Sequence, residues 1–227
     1  MTAPFVHLHL HSEFSLVVGI VRIDDLIALT DLSNVFGMVK FYRAAVAAGI
    51  KPVVGADVWL ENPADRNKPY RLVLLCQDRT GYRHLSRLLT RAYADGQHAG
   101  RPCLSRDWLS PGVEGLIVLS GAQDGDIAQA LLSGNGALAE SLAREYLQWF
   151  PRRFYLELQR TGQPLQEEYN HAAVALAGRL GLPVVATNHV HFLKPEEFEA
   201  VAAYLAAKES RFHNGDVLRV DGGYAIF

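Results

Sequence analysis

Three observations predict an α/β fold with a largely parallel sheet. Seven apolar runs of strand length recur along the 227 residues, segments of helical period stand between them, and glycines fall just past the firmest helical segments. Seven strands are enough to close a barrel. With 49% hydrophobic and 20% charged residues, the chain can bury a sizeable core as one large domain or as one domain with an appendage.

Strands are expected at residues 5–10, 27–30, 52–59, 71–76, 115–119, 154–158 and 183–186. In the first, histidines alternate with leucines, the period of an extended chain. The others are short apolar runs, several of them beside a glycine or proline. Helices are expected at 35–48, stopped by Gly49, at 80–94, stopped near Gly96, and at 165–180, stopped by Gly181. Tyr82, Leu85, Leu88, Leu89 and Ala92 form an apolar stripe on the second of these. Residues 124–132 and 137–149 read as a further helical pair, parted by the turn-forming Ser133-Gly134-Asn135-Gly136. Residues 61–68 are polar, contain proline, and read as a loop. One place breaks the pattern. Parallel neighbours need a crossover of about a dozen or more residues, yet after a loop at 12–19 only residues 20–26 remain before the second strand. Either those two strands are not parallel neighbours or the chain has lost a segment.

A formal net charge of −2 gives no global basic signature, so nucleic-acid contact has to come from a local patch or from outside this chain. The two cysteines, Cys76 and Cys103, have no ligand spacing and indicate no disulfide framework. No signal-peptide pattern and no apolar stretch approaching the ~18 residues of a membrane span is present, and a cytoplasmic location is expected.

The chemistry concentrates in histidines. His7, His9 and His11 share one face of the first strand, and His189 and His191 recur near the other end, so five of nine histidines lie in two short stretches. Neutral imidazole is the commonest protein ligand for zinc and similar ions. Glu157 lies on the opposite side of its strand from Leu156 and Leu158 and is expected at the barrel mouth, where a buried carboxylate needs a cation or hydrogen-bond donors. His84, His98, His171 and His213 read as ordinary surface or packing residues, and Arg152, Arg153 and Arg160 as a solvated charged face.

The run Phe5-Val-His-Leu-His-Leu-His-Ser-Glu-Phe-Ser15 resembles the first motif of the polymerase and histidinol phosphatase (PHP) domain that opens bacterial DNA polymerase III alpha subunits. Thr30-Asp-Leu-Ser-Asn34, Gly37-Met-Val-Lys-Phe-Tyr42, Gly49-Ile-Lys-Pro-Val-Val-Gly-Ala-Asp57, Leu116-Ile-Val-Leu-Ser-Gly121, Tyr155-Leu-Glu-Leu158 and Val185-Ala-Thr-Asn188 are similar to the same family in chain order, over about residues 3–198. The resemblance implies a distorted (β/α)7 barrel with metal ligands at its strand ends, here lacking the first crossover helix. Loss of that helix would expose an apolar sheet face. By position the family's ligands fall on His9, His11, Asp57 and His191, and His189 takes the place of an aspartate. Asp31 reads instead as a turn or cap residue. Val18, Leu32 and Ala122 stand where further ligands are expected.

Phosphoester hydrolysis at such a site uses two or three ions, and the ligands that remain suffice for one divalent ion, zinc, manganese or iron. The resemblance therefore implies a structural domain of a DNA-directed DNA polymerase, without the polymerase active site. Its implied partners are the rest of that subunit, the separate proofreading exonuclease and, through the whole subunit, DNA. A free-standing metal-dependent phosphoesterase or 3'-5' exonuclease is the alternative. The tail at 199–227, with Asn214-Gly-Asp-Val-Leu-Arg-Val-Asp-Gly-Gly-Tyr224, resembles the end of short-chain dehydrogenases. An oxidoreductase lacks further support, since no strand is followed by a Gly-x-x-x-Gly-x-Gly turn.

Overall fold

A computed structural model describes residues 8–12, 28–110, 112–188 and 190. Expectations for His7, Val18, His189 and His191, for the crossover gap and for the tail lie outside the described residues.

The chain enters with β1 (Ala28–Leu29), α1 (Met38–Ala47), β2 (Val53–Leu60), β3 (Tyr70–Cys76) and α2 (Arg79–Asp95). A small hairpin, β4 (Gln97–His98) and β5 (Arg101–Leu104), leads to β6 (Leu116–Leu119), α3 (Asp126–Leu132) and α4 (Gly136–Trp149). The described chain closes with β7 (Phe154–Gln159), α5 (Gln166–Leu180) and β8 (Val184–Thr187). The strands run in the order β4-β5-β2-β3-β6-β7-β8, with β1 also paired to β2. His11 N–H donates to Val190 O at 2.9 Å and Thr30 N–H to Leu10 O at 3.0 Å. These bonds tie the histidine segment to the residue after β1 on one side and to Val190, beyond β8, on the other, the closure a barrel requires.

The sheet is less parallel than expected. β1–β2, β2–β5, β6–β7 and β7–β8 are parallel, but β3 runs antiparallel to both β2 and β6. The connection from β2 to β3 is the short loop 61–69, which cannot carry a crossover and so forms a hairpin. Helix α1 starts at Met38, not at residue 35, because the Asn34 side chain accepts the Phe36 N–H at 3.0 Å and fixes a turn there. Gly49 and Gly181 stop their helices in the left-handed conformation, at φ +72° and +64°. Asp78 and Asn135 cap the N-termini of α2 and α4 through the Gly81 and Leu138 amides.

Alternation divides the strands between two sides. Ala56, Val58, Leu60, Leu72, Leu74, Leu116, Val118, Phe154 and Leu156 pack with the helices in the main core, against Leu85, Leu88, Leu89 and Ala92 of α2 and Tyr169 of α5. Burying each large apolar side chain contributes about 1.5–3 kcal/mol. The other side holds a small apolar floor of Val73, Leu75 and Leu119 and, on the same face, the polar Asp57, Arg71, Glu157, Gln159 and Thr187. β1 does not present the exposed apolar face expected from a missing helix: Ala28 and Leu29 are 1% exposed, and Leu29 packs with Phe41 and Ala45 of α1. Exposure falls on the far side of α1 instead, at Val39, Tyr42 and Val46.

Candidate metal centre

Asp57 is the hub of the polar side. Its Oδ2 lies 2.8 Å from His9 Nε2 and 3.0 Å from His11 Nε2. The opposite nitrogen of His9, Nδ1, lies 2.9 Å from Glu157 Oε1. His9, His11, Asp57 and Glu157 are all buried. One ligand atom from each of His9, His11 and Asp57 falls within 4.8 Å of the others, a spacing that a single ion can span. The structure thus gathers three of the five residues expected as ligands; His189 and His191 lie outside the described residues.

Asp57 stands on β2 and Glu157 on β7, but residues 8–12 form a bent segment with isolated bridges, such as Leu10 to Val190, and not the strand expected at 5–10. The segment carrying His9 and His11 is held by Asp31, whose carboxylate accepts the Ser12 N–H at 2.7 Å and the Ser12 hydroxyl at 2.8 Å. Asp31 therefore ties down the backbone beside the histidines from nineteen residues away, a long-range role and not the local turn or cap expected for it. Glu157 faces the barrel interior, as its alternation with Leu156 and Leu158 requires. Its Oε1 accepts from Thr187 Oγ1 and, at 3.3 Å, from Gln159 Nε2. Its backbone N–H donates to Ser120 Oγ at 3.0 Å, and Tyr169 OH donates to its carbonyl at 2.8 Å. Glu157 Oε2 is buried and finds no hydrogen-bond partner among the described residues.

Arg71 is the group that sequence reasoning missed. Its Nε donates to Asp57 Oδ1 at 2.9 Å and its Nη2 donates to Oδ2, so the guanidinium grips both carboxylate oxygens. Asp57 pairs with Val73 and Trp59 with Arg71 across β2 and β3, which places Asp57 and Arg71 diagonally on one face. The guanidinium also lies over the Trp59 ring, 4.3 Å from its centroid. Gly121, at φ +75°, lets the next turn pack on the Arg71 carbonyl, where a Cβ would come within 2.1 Å of the oxygen. The local signal for Arg71 is a lone charge opening an apolar run, indistinguishable in sequence from a solvated strand end.

Burial alone would lower the basicity of His9, but the Glu157 and Asp57 carboxylates overcome it and push the pKa up to about 10. Burial would raise Asp57, yet the Arg71 guanidinium and then His9 hold it well below the usual carboxylate range. Arg71 grips Asp57, and His9 stands between Asp57 and Glu157. A metal ion would need the Asp57 oxygens that the guanidinium grips. With Arg71 in place, the described residues do not fit a bound ion. Further ligands are missing as well: Ala122 is packed into the apolar core, and position 32 is a leucine bridging the Asp57 backbone.

The fold is an α/β barrel that gathers imidazoles and carboxylates at one buried site. The chain belongs to the PHP domain family, whose model matches residues 7–161. It is 47% identical over 222 residues to DNA polymerase III subunit alpha of Pseudomonas aeruginosa, covering 93% of this chain and 19% of that protein. To the subunit of the same name from Escherichia coli it is 44% identical over 212 residues, covering 88% of this chain and 18% of the other. The chain thus spans about a fifth of the length of the curated relatives it matches. Among solved structures, an amidohydrolase from Chromobacterium violaceum with bound sulfate and no metal shares the fold, with a TM-score of 0.50 at 17% identity, covering 85% of this chain and 89% of that one. The resemblance of the tail to dehydrogenases gains no support from these matches.

Proposed function

We propose that this chain forms the PHP portion of a replicative DNA-directed DNA polymerase, where it acts as a structural domain around a metal site that has lost catalytic capacity. The carrying observation is the 47% identity to an alpha subunit over 93% of the chain. Nucleotidyl transfer by two metals needs clustered carboxylates. Among the described residues only His9, His11 and Asp57 form a ligand-like group, so polymerisation belongs to the rest of the subunit. That remainder, the proofreading exonuclease and, through the whole subunit, DNA are the partners assigned, in the cytoplasm. No helix of the described residues is long and apolar enough to cross a membrane. Residues 1–198 constitute the barrel domain and 199–227 a separate tail.

The convergence of three ligand atoms within 4.8 Å favours a second reading. There, one zinc, manganese or iron ion is held by His9, His11 and Asp57 with His189 and His191, in a metal-dependent phosphoesterase or 3'-5' exonuclease. The two separate in one experiment on the purified full chain: metal analysis, followed by assays on histidinol phosphate, a generic phosphomonoester and single-stranded DNA. Absence of metal-dependent turnover is expected. Turnover abolished by His9→Ala and by His11→Ala would establish the second reading in place of the first.

A further inference from the structure

We propose that Arg71 is the resident cation of this barrel: its guanidinium has taken the charge position of a metal ion, and removing it restores a site for one divalent ion. This rests on the reading of the site as catalytically silent and names what silences it.

The argument is geometric. Asp57 Oδ2 is the atom on which His9 Nε2 and His11 Nε2 both converge, and it is also the atom that Arg71 Nη2 engages. An ion shared by His9, His11 and Asp57 would compete with the guanidinium for that oxygen. The competition is unequal in the wild-type chain, because the pairing is bidentate and its partners stand on adjacent, hydrogen-bonded strands. The Arg71 side chain is 11% exposed and that of Asp57 is fully buried, so water does little to weaken the pair. Trp59 supports the guanidinium from its ring face, and Gly121 holds the backbone behind it.

Among the described residues, Arg71 also connects the cluster to the surface. It lines a pocket of about 460 Å³ shared with Trp59, Asn62, Arg101 and Asp124. Shortening this one side chain therefore opens a route from the surface to Asp57 without disturbing the histidine segment. Methionine at position 71 would keep much of the apolar stem, which is the part of arginine that packs. It removes the charge and all five donors, leaving Asp57 in need of a cation.

The test is zinc binding by the full chain, using zinc chloride alone, for wild type and Arg71→Met. Isothermal titration and metal analysis after dialysis give stoichiometry, and thermal melts in EDTA and in zinc give linkage. Wild type is expected to retain no stoichiometric zinc and to melt at the same temperature in both conditions. Arg71→Met is expected to bind one zinc per chain at least about tenfold more tightly than wild type. Its Tm should fall in EDTA and recover in zinc, and adding His11→Gln should abolish the gain. A folded Arg71→Met chain that binds no more zinc than wild type overturns the proposal. So does one that fails to fold in zinc as well as in EDTA, because an ion then cannot replace the guanidinium. If wild type itself binds one zinc tightly, the role of Arg71 fails while the silent reading stands, and the same holds if neither chain binds; only metal-dependent turnover removes the silent reading.

Discussion

Replacing Asp57 by asparagine keeps the volume of the hub but removes its charge, leaving Arg71 and His9 facing a neutral amide. Both side chains of the Asp57–Arg71 pair are at least nine-tenths or nearly nine-tenths buried, at 0% and 11% exposed. Removing one member of such a pair costs about 3–5 kcal/mol, because the other charge stays buried without compensation. For a chain of this length that corresponds to a drop in Tm of about 6–20 °C. Arg71→Met should cost a similar amount by stranding Asp57. The double variant should not cost the sum, since each substitution removes the reason for the penalty of the other. Urea unfolding followed by circular dichroism on the four chains, in EDTA, measures the coupling. A coupling of at least about 2 kcal/mol is expected, within the range found for residues in contact. Additive penalties would refute the reasoning, because they would mean that Asp57 and Arg71 are stabilised by other partners and not by each other.

Other outcomes follow from the same geometry. His9 is raised above its ordinary value, so its contribution to stability is fully present below about pH 6.5 and is lost as pH rises through about 10. Urea midpoints between those limits should fall with pH in wild type and fall less steeply in His9→Gln. Gly121→Ala forces a left-handed alanine and a Cβ 2.1 Å from Arg71 O, so a loss of at least about 1–2 kcal/mol is expected in chemical denaturation. Cys76 is pushed up to about 12, first by burial and then by Asp78, so its thiol should resist a disulfide reagent at pH 8 until the chain is unfolded.

Much of the fold is legible because local pattern and tertiary burial agree. The stripe from Leu85 to Ala92 faces the core as its spacing requires, with Tyr82 at its partly exposed edge. The alternation around Glu157 locates a buried carboxylate on the interior side. What was not legible depends on pairing. Residues 72–75 are buried on both faces, so the run carries no alternation to read, and nothing in its composition shows that it runs antiparallel to both its neighbours. The β4–β5 hairpin contains Arg101 and Pro102 and has too few residues for a period. Arg71 and Asp57 are fourteen positions apart, and only the register of β2 on β3 brings them together.

That register also explains how histidines and carboxylates can share a buried site in which a guanidinium is proposed to stand in place of an ion. A carboxylate at the barrel interior is costly unless a cation or several donors accompany it. Asp57 has Arg71 and two imidazoles, while Glu157 has His9, Thr187 and Gln159. Once a guanidinium supplies the positive charge from the neighbouring strand, the same acidic residues can stay buried without a metal, and ligands elsewhere lose their function. Leucine at position 32 and alanine at position 122 are then sterically and electrostatically acceptable. The polar residues link β2, β3, β7 and β8 to the histidine segment across the barrel. A barrel closed in this way should keep its secondary structure in EDTA, measured by circular dichroism, whereas loss of fold on chelation would return the cohesion to an ion.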